Sequence, residues 1–323
     1  MVPPLILPFL LLLALCLGYA IRRGSVCAVA AAESLVRQRR TARLRSFAVT
    51  AAGSGLVIVP AHWVWPETVS LSPGYPVSAT VLVAGALFGL GARLNGACAL
   101  GTLSNLTGGN LSYTASVLGM VAGAVLIAMS GHGGGAASDL RPSPLGVPTM
   151  EALAAVLMFL AIVVIALSRR MPRWLRTLRD PSAMRIGPYR AMLLLGVCGG
   201  LFYAMAGQWT YLSVLSQRAA GLVGAVPSED GLVAILAAAT VAAGGAIAAW
   251  RSGHFQLRWD GRHATLRCLG GGLVMGASAA AIPGGNGTML IFGVPSVAPH
   301  ALAGYAAMMV VLCLSFIATG RDR

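Results

Sequence analysis

The chain reads as an all-α integral membrane protein with about nine transmembrane helices and four short re-entrant segments, and three observations predict this. Of its 323 residues 57% are hydrophobic and only 10% are charged. The apolar residues arrive in runs of fifteen to twenty-three rather than in amphipathic stripes. All 23 basic residues are arginine, and 21 of them fall on alternate loops. A bilayer core of about 30 Å is crossed by about 20 helical residues, so runs of this length with so little charge are spans.

Nine runs qualify in chain order: Val2 to Ala20, Phe47 to Trp65, Val77 to Ala92, Leu111 to Met129, Met150 to Leu167, Ala191 to Ala206, Gly231 to Ala249, Cys268 to Ile282, and Val297 to Thr319. The first lacks a basic leading region, and Arg22 and Arg23 follow it, so it is expected to be an anchor helix rather than a cleaved signal. Leu15, just before Cys16, also argues against a lipoprotein cleavage site. The third, sixth and eighth runs are short and need burial among neighbours.

Nine spans place Arg22 to Arg45, Arg93, Arg169 to Arg190, Arg251 to Arg267 and the final RDR on one face, with only Arg141 and Arg218 on the other. The positive-inside rule makes the arginine-rich face cytoplasmic, with the N-terminus outside and the C-terminus inside, as in a multi-pass protein of the bacterial inner membrane. Removing or adding one helix would spread arginine over both faces. The net charge of +14 is therefore topological, in contact with lipid headgroups, and no nucleic-acid partner is expected.

Four stretches are neither good spans nor ordinary loops: RRGSVCAVAAAESLV around Cys27, NGACALGTLSNLTGG around Cys98, GQWTYLSVLSQRAAG around Trp209, and IPGGNGTMLIFGVPSVAPH around Asn286. Each breaks into small or polar residues and then turns apolar again for too short a distance to cross. Such stretches are expected to be re-entrant, which a membrane tolerates only where protein or a cavity covers the backbone. Their order gives span, break, span, span, break, span in residues 1–130. Residues 131–190 supply one connecting span and an arginine-rich loop. The first order then returns in 191–323. Four spans per half around one connector force the second half to enter from the opposite side, an inverted repeat of the 4+1+4 kind. GARLNGACALGTL then aligns with GASAAAIPGGNGTML, with Cys98 opposite Asn286.

The chemistry is restricted by what is missing. With no lysine, PGGNGT cannot be a phosphate-binding P-loop, and Schiff-base chemistry is excluded. His62, His132, His254, His263 and His300 lack metal-ligand spacing, and no C-x-x-C pair occurs, so neither a metal nor another cofactor is expected. Glu33 is expected to pair with a nearby arginine. Cys16, Cys198, Cys268 and Cys313 lie in apolar runs and read as small buried hydrophobes.

Cys27 and Cys98 lie in broken segments. Cys98 is flanked by Gly96, Ala97, Ala99 and Gly101, which let a solute and neighbouring backbones approach the sulfur. A short helix beginning there aims unpaired N–H groups and a partial positive charge at its N-terminus, which favours an anion. A free thiol has a pKa of about 8.5 and stays neutral at pH 7, offering a soft S–H donor. A thiolate would repel an anion by about 4 kcal/mol per unit charge at 4 Å with an effective dielectric of 20. The expected pathway comprises Cys27, Cys98 and Asn286, with Gly96, Gly101, Thr102, Gly285, Thr288, Trp209 and Tyr211 as further lining. Trp209 and Tyr211 read equally well as interface anchors.

The motifs RGSVCAVAA, LNGACALGTL and IPGGNGTMLIFGVPSVAPHALAGYAAM, in this order over nearly the whole chain, resemble the YeeE/YedE family of sulfur transporters. The resemblance implies nine spans, an hourglass-shaped inverted repeat, and cysteines that pass thiosulfate along by S–H···S contacts, with Cys27 and Cys98 matching the first two motif cysteines. It also implies a third path cysteine, where this chain has Asn286 in a G-G-N sequence. The expected function is uptake of a small sulfur-containing anion, foremost thiosulfate, by a protein that is not an enzyme. A different sulfur oxyanion or a selenium compound is an alternative cargo. A second class of function is sulfur transfer through a cysteine persulfide, against which stand the missing C-x-x-C pair and the absence of an adjacent base. A soluble cytoplasmic sulfur carrier docking on the arginine-rich face is a further expected partner.

Overall fold

The computed structural model describes residues 6–24, 26–130, 140–168, 188–207, 231–282 and 285–320, with positions 212, 214 and 221. These residues are helical almost throughout, and extended pairing among them is confined to two isolated bridges, Gly74 with Arg141 and Asn110 with Arg258. The helices are α1 Leu7–Gly24, α2 Ala28–Gln38, α3 Ala42–Val64, α4 Ala79–Asn95, α5 Ala99–Thr107, α6 Ser112–Met129, α7 Met150–Ser168, α8 Pro188–Ala206, α9 Gly231–Arg251, α10 Arg262–Ala281, α11 Asn286–Thr288 and α12 Pro299–Gly320. A π-helical turn, Met289–Gly293, extends α11.

Eight helical runs are long and apolar enough to cross a bilayer, and α10 with the bent α11 segment makes up to nine. Each of the nine predicted spans coincides with one of α1, α3, α4, α6, α7, α8, α9, α10 and α12. The eighth begins six residues before its apolar run, at Arg262, because a helix continues its hydrogen bonds through polar residues outside the hydrocarbon. Three of the four broken stretches fall within the described residues apart from Ser25, Pro283 and Gly284, and the one around Trp209 lies outside them apart from Gly207, Leu212, Val214 and Gly221. Two of the breaks are shallow: Leu7–Gln38 and Ala79–Thr107 continue as apolar runs of 32 and 29 residues. The third is not, since Arg262–Ala281 and Asn286–Gly293 meet at 54°.

The main helix pairs join the first half to the second: α6 with α10, α3 with α8, α1 with α9, and α4 with both α10 and α12. Glycine makes these approaches possible. A methyl group on Gly119 or Gly123 of α6 would overlap the carbonyl oxygens of Leu269 or Leu273, and one on Gly272 or Gly276 of α10 would overlap those of Ser116 or Met120. Gly18 and Gly244 serve α1 and α9 in the same way, and Gly196 serves α8 against Thr50 of α3. Inside a bilayer, where lipid is as apolar as leucine, association depends on this small-residue contact rather than on hydrophobic burial. The outward faces are correspondingly apolar, with Leu118, Leu157, Val310 and Leu314 all exposed. Helix α7 is the most peripheral span, and it packs mainly on α3.

The loops knit together in two groups. At one end Leu111 donates its N–H to Arg258 O at 2.9 Å, Gln256 to Gly108 O at 3.0 Å, and Asn110 Nδ2 to Asp260 Oδ2 at 2.6 Å. Here Arg22 also donates to Ser104 O at 3.2 Å and to His254 O at 3.3 Å, which places a cation on the C-terminal carbonyls of α5. At the other end Trp63 Nε1 donates to Leu145 O at 2.8 Å, Ser143 Oγ to Ser296 O at 2.7 Å, and Gly74 N to Arg141 O at 2.8 Å. The alternation of nine spans requires this same grouping.

Candidate sulfur-anion site

The two cysteines singled out by sequence cap two helices whose N-termini meet. Cys27 is the N-cap of α2, with extended backbone at φ −141° and ψ 120°, and Cys98 is the N-cap of α5, at φ −74° and ψ 177°. Neither thiol makes a side-chain capping hydrogen bond, and the Cys98 sulfur lies against the start of α2. Ala28, the first residue of α2, donates its N–H to Cys98 Sγ at 3.3 Å, and the two thiols lie within hydrogen-bonding reach of each other. A methyl on Gly101 would stand 2.8 Å from Cys27 Sγ, so the glycine leaves the room that this thiol occupies. Cys98 is 1% exposed, whereas Cys27 is partly open. The result is two thiols against helix ends that carry partial positive charge, with Cys98 Sγ accepting from α2.

The turn that aims Cys98 is built by its neighbours. Gly96 ends α4 at φ 79°, a left-handed conformation that side chains disfavour. Asn95, buried at the same bend, donates from Nδ2 to Ala97 O and to Thr102 Oγ1, both at 2.8 Å. Thr102 is fully buried and held by that bond. Gly96 therefore makes the turn, Thr102 anchors it, and Gly101 borders the thiol.

In the second half Gly285 caps α11 and Asn286 begins it, 2% exposed, with no hydrogen-bond partner for its Oδ1. Thr288 receives a hydrogen bond from Tyr203 Oη at 3.0 Å, and the Tyr203 ring stacks on Phe292 at 4.6 Å between centroids. Helix α11 touches α5, so the amide and thiol segments share one interior. A methyl on Gly285 would lie 2.6 Å from Leu212, which brings the edge of the Trp209 stretch against α11. Trp209 and Tyr211 themselves lie outside the described residues.

Sequence reasoning missed Asn95 and Tyr305. Asn95 had a readable signal, an amide inside an apolar run at the point where it breaks. Tyr305 had none, being one aromatic in the ninth span, yet its hydroxyl is buried without a partner. Glu33 pairs with Arg37 at 3.2 Å, as expected, on an exposed helix face where such a pair contributes about 0.3–0.5 kcal/mol. Among the described residues no group of three His, Cys, Asp or Glu side chains is arranged to hold a metal ion.

No curated protein matches the chain. The family model described as sulphur transport matches residues 23–314, a stretch that takes in both thiols, both glycine turns and Asn286, and the chain belongs to that sulfur transport family, the YeeE/YedE proteins that its motifs resemble.

Proposed function

We propose that this multi-pass membrane protein takes up a small sulfur-containing anion, foremost thiosulfate, and that the anion passes the thiols of Cys27 and Cys98 and the amide of Asn286. One observation carries the reading: two thiols at the adjoining N-termini of α2 and α5, with Gly101 leaving the room that Cys27 Sγ occupies. Thiosulfate is a dianion whose terminal sulfur is soft. Neutral S–H groups and helix N-termini stabilise it without adding repulsive charge.

The same proposal orients the chain with its N-terminus outside and its C-terminus in the cytoplasm of the bacterial inner membrane. The gathering of loops 108–111 and 254–260 at one end, beside Arg22, supports it. The packing also supports the 4+1+4 inverted repeat. Exchanging α1 with α8, α3 with α9, α4 with α10 and α6 with α12 turns the α1·α9 contact into α3·α8 and α6·α10 into α4·α12, all of which occur.

The test is uptake of radiolabelled thiosulfate, sulfite and sulfate into proteoliposomes carrying wild type or Cys98→Ala. Thiosulfate uptake that falls about ten-fold with Cys98→Ala is the expected result. Oxyanion uptake indifferent to Cys98 would discard the thiol pathway, and no uptake of any of the three would discard the transport reading.

A further inference from the structure

Six buried side-chain atoms among the described residues lack a hydrogen-bond partner: Arg23 Nε, Arg93 Nε, Asn95 Oδ1, Ser116 Oγ, Asn286 Oδ1 and Tyr305 Oη. Buried polar groups are normally satisfied, and each exception calls for an explanation. Tyr305 stands apart by position. Its ring packs both on the buried cluster that holds Cys98, with Cys27 at its edge, and on the cluster of Ile282 and Met289 that brackets Asn286 in sequence. Phenylalanine would fill the same volume without burying an unbonded hydroxyl, so packing alone gives no reason for the oxygen.

An anion at the thiols supplies the missing partner. Thiosulfate carries three oxygens at one end and a soft sulfur at the other. Thiols are weak donors suited to the sulfur, while a phenolic O–H is a strong neutral donor suited to an oxygen. We infer that Tyr305 donates its hydroxyl hydrogen to an oxygen of the transported anion, and so sets affinity for the oxyanion end while Cys27 and Cys98 select the sulfur end. This inference rests on the transport reading above and adds a ligand to it.

Proteoliposomes carrying wild type, Tyr305→Phe and Cys98→Ala are compared for thiosulfate KM and for inhibition of thiosulfate uptake by sulfate. Loss of one hydrogen bond to a charged group corresponds to about a ten-fold or greater change in binding. Tyr305→Phe is therefore expected to raise the thiosulfate KM about ten-fold and to weaken sulfate inhibition by a similar factor. Cys98→Ala should raise the thiosulfate KM while leaving sulfate inhibition in place. A folded Tyr305→Phe protein with wild-type KM and wild-type sulfate inhibition overturns the inference and leaves the transport reading standing. Absence of uptake by wild type overturns both. Should Tyr305→Phe fail to fold, 3,5-difluorotyrosine incorporated at position 305 keeps the shape and strengthens the donor. A lower thiosulfate KM with it supports the inference, and an unchanged one overturns it.

Discussion

The described breaks of the two halves are capped by different chemistry and held by different means. In the first half, Cys27 and Cys98 cap α2 and α5, and Asn95 ties the turn before Cys98 to Ala97 and Thr102. The apolar runs through both of these breaks stay continuous. In the second half the chain bends by 54°, the capping position is Gly285, and the polar side chain on offer is Asn286, whose Oδ1 accepts no bond. Thr288, bonded by Tyr203, steadies that turn instead. In the proposed pathway the first half offers thiols and the second half an amide. An anion with a sulfur end and an oxygen end matches both.

The comparison breaks most completely if the thiols are removed together. Cys27→Ala with Cys98→Ala is expected to cut thiosulfate uptake about a hundred-fold, two lost hydrogen bonds at about ten-fold each. Uptake by the double variant within a factor of two of wild type would show that the soft side does not matter. Gly101→Ala probes one thiol without deleting it. The new methyl meets Cys27 Sγ at 2.8 Å and must turn it aside, and it also crowds Cys27 Cβ at 3.1 Å and Ala97 Cβ at 3.2 Å, so uptake should fall about ten-fold with a smaller loss of thermal stability in detergent. On the hard side, Asn286→Ala should reduce uptake only a few-fold. Asn286→Cys should raise selectivity for thiosulfate over sulfate, measured as the ratio of their uptake rates.

The two scaffolds separate in stability. Asn95→Ala leaves Ala97 O and Thr102 Oγ1 without their shared donor and should destabilise the protein by about 2 kcal/mol. Tyr203→Phe, which removes the hydroxyl's bond to Thr288, should cost about 1 kcal/mol. Both are read from thermal unfolding in detergent, and the order of the two is the prediction.

Much of the fold was legible because a bilayer imposes a length and a charge rule on every crossing. Runs such as Leu111 to Met129 and Met150 to Leu167 could be read as helices almost to the residue. The boundary of the eighth span was not, since Arg262, His263 and Arg267 lie outside the hydrocarbon pattern yet inside the helix. The pairing of helices was hidden too. Gly119, Gly123, Gly272 and Gly276 are visible as small residues, but which helix each one faces depends on the whole packing. For the site, Cys27 and Cys98 were legible as polarisable residues in broken segments, and Gly101 as the space beside them. Tyr305 was not, because a tyrosine in an apolar span looks the same whether its hydroxyl reaches lipid headgroups or is buried in the packed interior.

The central claim is that the soft end of the anion meets the thiols, and selenosulfate tests it most directly. This analogue replaces the terminal sulfur of thiosulfate with selenium, whose anomalous X-ray scattering marks its position in a crystal. The account predicts a selenium peak in contact with Cys98 and Cys27, with the oxygens turned toward Tyr305 and Asn286. A peak in the interior with selenium against Asn286 and oxygens against the thiols would contradict it.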